Sequence, residues 1–130
     1  MTKILLVEDE ELNRALVKAV LARAEVAAVR EAAVVDAFSL ASAREKLGAD
    51  DIDLVLLDMN LPDGNGLSLA RELASGGMPT GRRKPTVIAV TASVLPADRA
   101  AAIEAGCDGF LDKPYAAADL VATVARHLPS

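Results

Sequence analysis

Five polar side chains in this 130-residue sequence stand where hydrophobic runs end. Glu8 and Asp9 follow Leu5-Leu6-Val7, Asp58 follows Val55-Leu56-Leu57, Thr91 follows Ile88-Ala89-Val90, and Lys113 comes two residues after Leu111. Carboxylates gathered in this number repel one another unless a cation is present. Their donors are hard oxygens with no His or Cys nearby, which selects magnesium over zinc. A carboxylate is also a competent nucleophile toward phosphorus once the incoming phosphoryl oxygens are neutralised, and such transfer depends on positioning and charge stabilisation. Asp58 is the candidate nucleophile. Lys113 supplies a point charge to one phosphoryl oxygen and Thr91 a hydroxyl to another, while the small side chain of Ala92 leaves the product accessible. Taken one at a time, these residues are more often solvated strand-end side chains. Their coincidence at successive strand ends is what favours a shared site.

The elements that must position them are five short apolar runs: Ile4–Val7, Ala33–Ala37, Leu54–Leu57, Thr86–Val90 and Gly109–Leu111. Each is continuous rather than alternating, the pattern of strands buried on both faces of a parallel sheet. Five helical stretches lie between and after them. Leu12, Leu16, Ala19, Val20 and Arg23 trace an apolar stripe on the first. Ser39 caps the second, which runs to about Leu47 and stops at Gly48. Leu67, Ala70 and Leu73 mark the third, closed by Gly76-Gly77. Pro96 opens the fourth, which ends near Gly106. The fifth carries Leu120, Val121, Val124, Ala125 and Leu128, with Pro129 at its end. Ala24 to Glu31 and Gly76 to Pro85 read as loops. Regular alternation of strand and helix implies right-handed crossovers and an open α/β sheet covered on both faces, with chemistry at the carboxyl ends of the strands.

Four segments carry a resemblance: Leu5-Leu6-Val7-Glu8-Asp9, Asp58-Met59-Asn60-Leu61-Pro62-Asp63-Gly64-Asn65-Gly66, Val90-Thr91-Ala92, and Gly109-Phe110-Leu111-Asp112-Lys113-Pro114. In this order they resemble the receiver domains of two-component response regulators, across essentially the whole chain. The resemblance implies one receiver domain over residues 1–130, a doubly wound, flavodoxin-like sheet of order 2-1-3-4-5 and five flanking helices. It implies that Asp58 is the phosphoacceptor. Asp9, Asp58 and the backbone carbonyl of Asn60 would ligate Mg2+, and Glu8 would do so directly or through water. Lys113 would contact the phosphoryl group, and its bond to Pro114 would be cis, a form that X–Pro bonds tolerate. Thr91 and Phe110 would be the switch pair. Asn60 and Ser93 would flank the path of attacking water, with self-hydrolysis of no exceptional speed expected. Glu8 stands where many members carry a second aspartate, and Phe110 where some carry tyrosine.

The implied role is signalling: the domain catalyses its own phosphorylation and slow dephosphorylation but is no turnover enzyme. A histidine kinase or histidine phosphotransfer protein would supply the phosphoryl group. A protein target would bind the face made by the fourth helix, fifth strand and fifth helix. The starting Met1-Thr2-Lys3 mildly favours an intact N-terminus, and nothing past the fifth helix reads as an output module.

Composition narrows the alternatives. A formal net charge of −5 and 2% aromatic residues weigh against nucleic-acid binding, so Arg82-Arg83-Lys84 reads as a solvated turn. The single Cys107 permits no internal disulfide. The N-terminal apolar run is too short for a signal peptide or membrane span, which leads to a cytoplasmic expectation. A magnesium phosphohydrolase of similar topology would want a general acid two residues past its nucleophile, where this chain has Asn60. A degenerate receiver used only for protein contacts would not need the set of Asp58, Thr91 and Lys113, and a colourless preparation would count against a flavodoxin-like cofactor binder.

Overall fold

The computed structural model describes residues 2–75, 84–92 and 95–128. The helix stop at Gly76-Gly77, the charges Arg82 and Arg83, the flanking Ser93 and the terminal Pro129 lie outside the described residues. The elements run β1 (Lys3–Val7), α1 (Glu11–Ala22), α2 (Ala27–Arg30), β2 (Ala33–Ala37), α3 (Leu40–Ala49), β3 (Leu54–Asp58), β4 (Asn60–Leu61), β5 (Gly64–Asn65), α4 (Gly66–Ser75), β6 (Thr86–Thr91), α5 (Pro96–Glu104), β7 (Gly109–Asp112) and α6 (Ala117–His127).

β1, β2, β3, β6 and β7 form one parallel sheet in the order β2-β1-β3-β6-β7. This is the expected five-strand order. Successive strand residues point to opposite faces, so each continuous apolar run feeds two cores. Leu5, Val7, Val55, Leu57, Val87 and Ala89 meet Leu40, Leu47, Leu69 and Leu73 on the side of α3 and α4. Ile4, Leu6, Leu54, Leu56, Ile88 and Val90 meet Val17, Leu21, Val29, Leu120 and Val124 on the other. Ser39 Oγ accepts from Ser42 N–H at 3.1 Å and so caps α3 as its sequence suggests.

Three expectations are corrected. The described residues hold six helices rather than five, because Ala24 to Glu31 contains the single turn α2, where Arg30 N–H donates to Val26 O at 3.0 Å. Four residues are too few for a periodic signal, yet the turn drives Val29 into the core at 1% exposure. The buried face of α1 carries Val17 and Leu21, while Leu12 and Leu16 are 71% and 56% exposed. Two stripes overlap on that helix, offset by one residue, and the one ending at Ala24 avoids burying Arg23. Finally, α3 passes through Gly48 to Ala49, and β4 and β5 form a small antiparallel hairpin beyond Asp58.

β2 lies on one side of β1 and β3 on the other, so the chain's direction of winding reverses between β1 and β3. The carboxyl ends of those two strands therefore flank the crevice where such sheets place their sites.

Candidate functional site

β1 ends at Val7 and delivers Glu8 to the crevice; the Glu8 N–H still extends the ladder by donating to Ala37 O at 3.0 Å. β3 ends on Asp58 itself. Both carboxylates are buried, at 6% and 5% exposure, while Asp9 is open to solvent. Carboxylate oxygens of Glu8, Asp9 and Asp58 lie within 4.8 Å of one another, the one such gathering among the described residues.

Each oxygen of Asp58 has a partner. Asn60 N–H donates to Oδ1 at 3.0 Å, and Lys113 Nζ donates to Oδ2 at 3.2 Å. Lys113 Nζ also lies 3.5 Å from Glu8 Oε2, and Glu10 N–H donates to Glu8 Oε1 at 3.1 Å. Burial, reinforced by the charge of Asp58, pushes the Glu8 carboxyl above its ordinary range despite the Glu10 N–H. Burial alone would lower Lys113, but the carboxylates of Asp58 and Glu8 outweigh it and hold the ammonium above its ordinary value. Burial also raises Tyr115, which sits over the same charges.

The remaining sequence-predicted residues gather at the same edge. Thr91 closes β6, one residue past Val90, the register partner of Asp58. Lys113 N–H donates to Thr91 O at 2.8 Å and locks the ends of β6 and β7 together. Thr91, Ala92, Asn60 and Phe110 line a cavity of about 440 Å³ beside Asp58. Phe110 is half-buried, with the Arg99 guanidinium 5.2 Å from its ring centroid. The Lys113–Pro114 peptide bond is cis.

Close packing holds the nucleophile's own turn. A Cβ on Gly66 would stand 2.6 Å from the main-chain oxygen of Asp58, so only glycine lets the chain pass there.

Sequence reasoning missed three supporting residues. Arg14 Nη1 donates to the main-chain carbonyl of Glu8 at 2.7 Å. Asp63, given no role of its own in the sequence, accepts from the N–H groups of Leu40 at 2.8 Å and Ala41 at 3.1 Å, and so caps α3 from the hairpin. Arg99 pairs with Asp112 as well as facing Phe110. A signal existed for Arg14: helical side chains lean toward the N-terminus, so an arginine in the first turns of α1 reaches back to the preceding loop.

The donors suit a hard divalent ion. Three clustered carboxylates face a single ammonium.

A family model described as the response regulator receiver domain matches residues 4–125. The chain belongs to that family. The receiver domain is 36% identical over 129 residues to the two-component response regulator ORR41 of Oryza sativa subsp. japonica, covering 97% of this chain and 94% of that protein. It is 37% identical over 123 residues to the transcriptional regulatory protein CutR of Streptomyces coelicolor, covering 94% of this chain. It spans only 51% of CutR's length. Among solved structures, the receiver domain of the sensor histidine kinase PA1611 from Pseudomonas aeruginosa PAO1 matches with a TM-score of 0.79 at 30% identity, over 99% of this chain and 98% of that one. That protein was crystallised with a magnesium ion coordinated in its active site cleft. Phosphorylation-driven switching within two-component signalling is the general function of the family. Among the described residues no helix is long and apolar enough to cross a membrane.

Proposed function

We propose that Asp58 accepts a phosphoryl group from a phosphohistidine on a histidine kinase or histidine phosphotransfer protein. The observation that carries this reading is the double anchoring of a buried Asp58, by Asn60 N–H on one oxygen and Lys113 on the other, beside two further carboxylates. One carboxylate oxygen of Asp58 attacks phosphorus, the phosphorus–nitrogen bond breaks, and the histidine ring leaves as neutral imidazole, taking the bonding pair on the released nitrogen and keeping the proton already on its other nitrogen, which produces an acyl phosphate. Glu8, Asp9, Asp58 and the Asn60 carbonyl would hold Mg2+, which supplies neutralisation of the phosphoryl oxygens when bound. The magnesium in the related PA1611 domain supports the same choice of ion. Lys113, kept cationic by its neighbours, exchanges its bond to Asp58 Oδ2 for one to a phosphoryl oxygen. The Thr91 hydroxyl donates to another, and Ala92 leaves that approach open.

The domain's own residues thus catalyse the transfer and the later slow hydrolysis, without turnover of a free substrate. Output would follow from movement of Thr91 toward the phosphoryl group and of Phe110 into the adjoining space, which shifts the population of a surface on α5, β7 and α6. Residues 1–130 would work as one receiver unit in the cytoplasm, with a protein target and neither nucleic acid nor membrane as direct partner.

Incubation with acetyl phosphate and Mg2+, followed by intact-mass measurement, tests the reading. One labile phosphoryl group is expected on the native chain and none on Asp58→Asn. Labelling of Asp58→Asn to the same extent, or multiple turnovers of phosphate ester by the native chain, would replace this reading with another nucleophile or with a phosphohydrolase.

A further inference from the structure

Glu8 and Asp9 are joined by one peptide group, and the carbonyl of that group is the acceptor for Arg14. Its plane sets the directions in which both side chains leave the main chain. Glu8 is the first residue past β1, and its N–H is already held by Ala37 O. Arg14 takes the carbonyl, at 2.7 Å. The guanidinium is itself fixed: its side chain is only 18% exposed, and Nε stands 3.7 Å from Asp36 Oδ2 on β2. Lys18 Nζ lies 3.0 Å from Asp36 Oδ1 and donates to Oδ2 at 3.3 Å, so it straddles the same carboxylate. The ion pair of Arg14 is thus with Asp36, and its contact with Glu8 is to the main chain and not to the carboxylate.

We infer that Arg14 is a positioning residue for the metal-binding carboxylates: by bridging Asp36 to the Glu8 carbonyl, it fixes the Glu8–Asp9 peptide and so the aim of both acids. The inference rests on the proposed Mg2+ site. It has a sign that separates it from simple electrostatics. Removing a cation from beside a dication site strengthens metal binding when charge is all that matters. Removing a brace from two ligands weakens it, as loss of an outer hydrogen bond to metal ligands does.

The test is a Mg2+ titration of the full chain at constant ionic strength. It is followed by fluorescence of Tyr115, the only tyrosine in a chain without tryptophan, and separately by the Mg2+-dependent rise in melting temperature. Arg14→Met is expected to raise the Mg2+ dissociation constant about 10-fold. Arg14→Lys keeps the charge but lacks the planar fork that spans both partners, and is expected to weaken binding nearly as much. Asp36→Asn loosens the far side of the guanidinium without touching Glu8, and is expected to weaken binding by a smaller factor. A purely structural role would lower the melting temperature in EDTA and leave the dissociation constant unchanged. Unchanged or tighter binding in Arg14→Met, or in Arg14→Lys should the first variant not fold, overturns the inference while leaving the phosphoacceptor reading standing. No Mg2+ response in the native chain overturns both.

Discussion

The ammonium of Lys113 lies 3.2 Å from Oδ2 of Asp58, joining the loop after β7 to the end of β3 across 55 residues of sequence. Asp58 is buried and Lys113 is partly so, with side-chain exposures of 7% and 29%. Breaking such a pair from the cationic side leaves a buried anion facing Glu8. Lys113→Gln is therefore expected to lose about 1–3 kcal/mol of stability in EDTA, toward the lower end of the range for buried pairs because Lys113 retains some solvent. Millimolar Mg2+ should recover more of that loss than it adds to the native chain. Urea unfolding with and without Mg2+ measures both quantities; equal Mg2+ increments in the two proteins would contradict the shared-charge account.

Glu8 gives a pH dependence of definite sign. Its folded pKa is raised by burial and by Asp58. Its stabilising contribution is therefore complete below the ordinary glutamate value and disappears as pH climbs through the folded one. Glu8→Gln stays neutral throughout. In EDTA its stability relative to the native chain should rise as pH climbs from 4. Saturating Mg2+ should remove the difference or reverse it, because the variant loses a ligand. Parallel stability–pH curves in EDTA would show that the folded protein does not strain this carboxyl.

Two glycines make a matched pair. At Gly66 a methyl group would meet the Asp58 main-chain oxygen at 2.6 Å, whereas at Gly48, within α3, nothing stands within 4 Å. Gly66→Ala should cost about 2–4 kcal/mol through forced backbone movement and weaken Mg2+ binding by displacing Asp58. Gly48→Ala should instead stabilise by about 0.5–1 kcal/mol, through lower chain entropy in the unfolded state. Thermal melts of both variants check the contrast, and a stable, Mg2+-responsive Gly66→Ala would remove the packing argument.

Much of this arrangement was legible in the sequence because parallel strands bury both faces. Runs such as Leu54–Leu57 stand out, and the polar residues just past each one must lie at a common sheet edge. Glu8, Asp58, Thr91 and Lys113 were found that way. What escaped notice were contacts whose partners are main-chain groups. Arg14 reaches a carbonyl and Asp63 reaches two N–H groups, and unlike Ser39, which adjoins the helix it caps, Asp63 lies 22 and 23 residues from its partners. The turn at Ala27–Arg30 was hidden for a different reason, since one turn contains no repeat of the helical period. On α1, Leu12 and Leu16 lost the buried face to Val17 and Leu21 because two apolar stripes overlap and only tertiary packing chooses between them.

Asp63 provides the last prediction, and it links helix capping to the site. Its carboxylate accepts from Leu40 N–H and Ala41 N–H at the start of α3, and these two bonds hold its pKa below the ordinary aspartate value. A depressed pKa means that the contribution is present above the unfolded value and is lost as pH falls through the folded one. Asp63→Ala should accordingly lower the melting temperature by a few degrees at pH 7, with the deficit shrinking as the pH drops below about 4. Asp63→Asn keeps one acceptor oxygen and no charge, and should fall between the two. Because Asp63 sits in the turn of the β4–β5 hairpin that begins at Asn60, the alanine variant should also bind Mg2+ more weakly, through the loosened Asn60 carbonyl. Melting curves at pH 7 and pH 3.5 settle the capping role. A deficit that stays constant across that interval would mean the Asp63 carboxylate charge contributes nothing to holding α3.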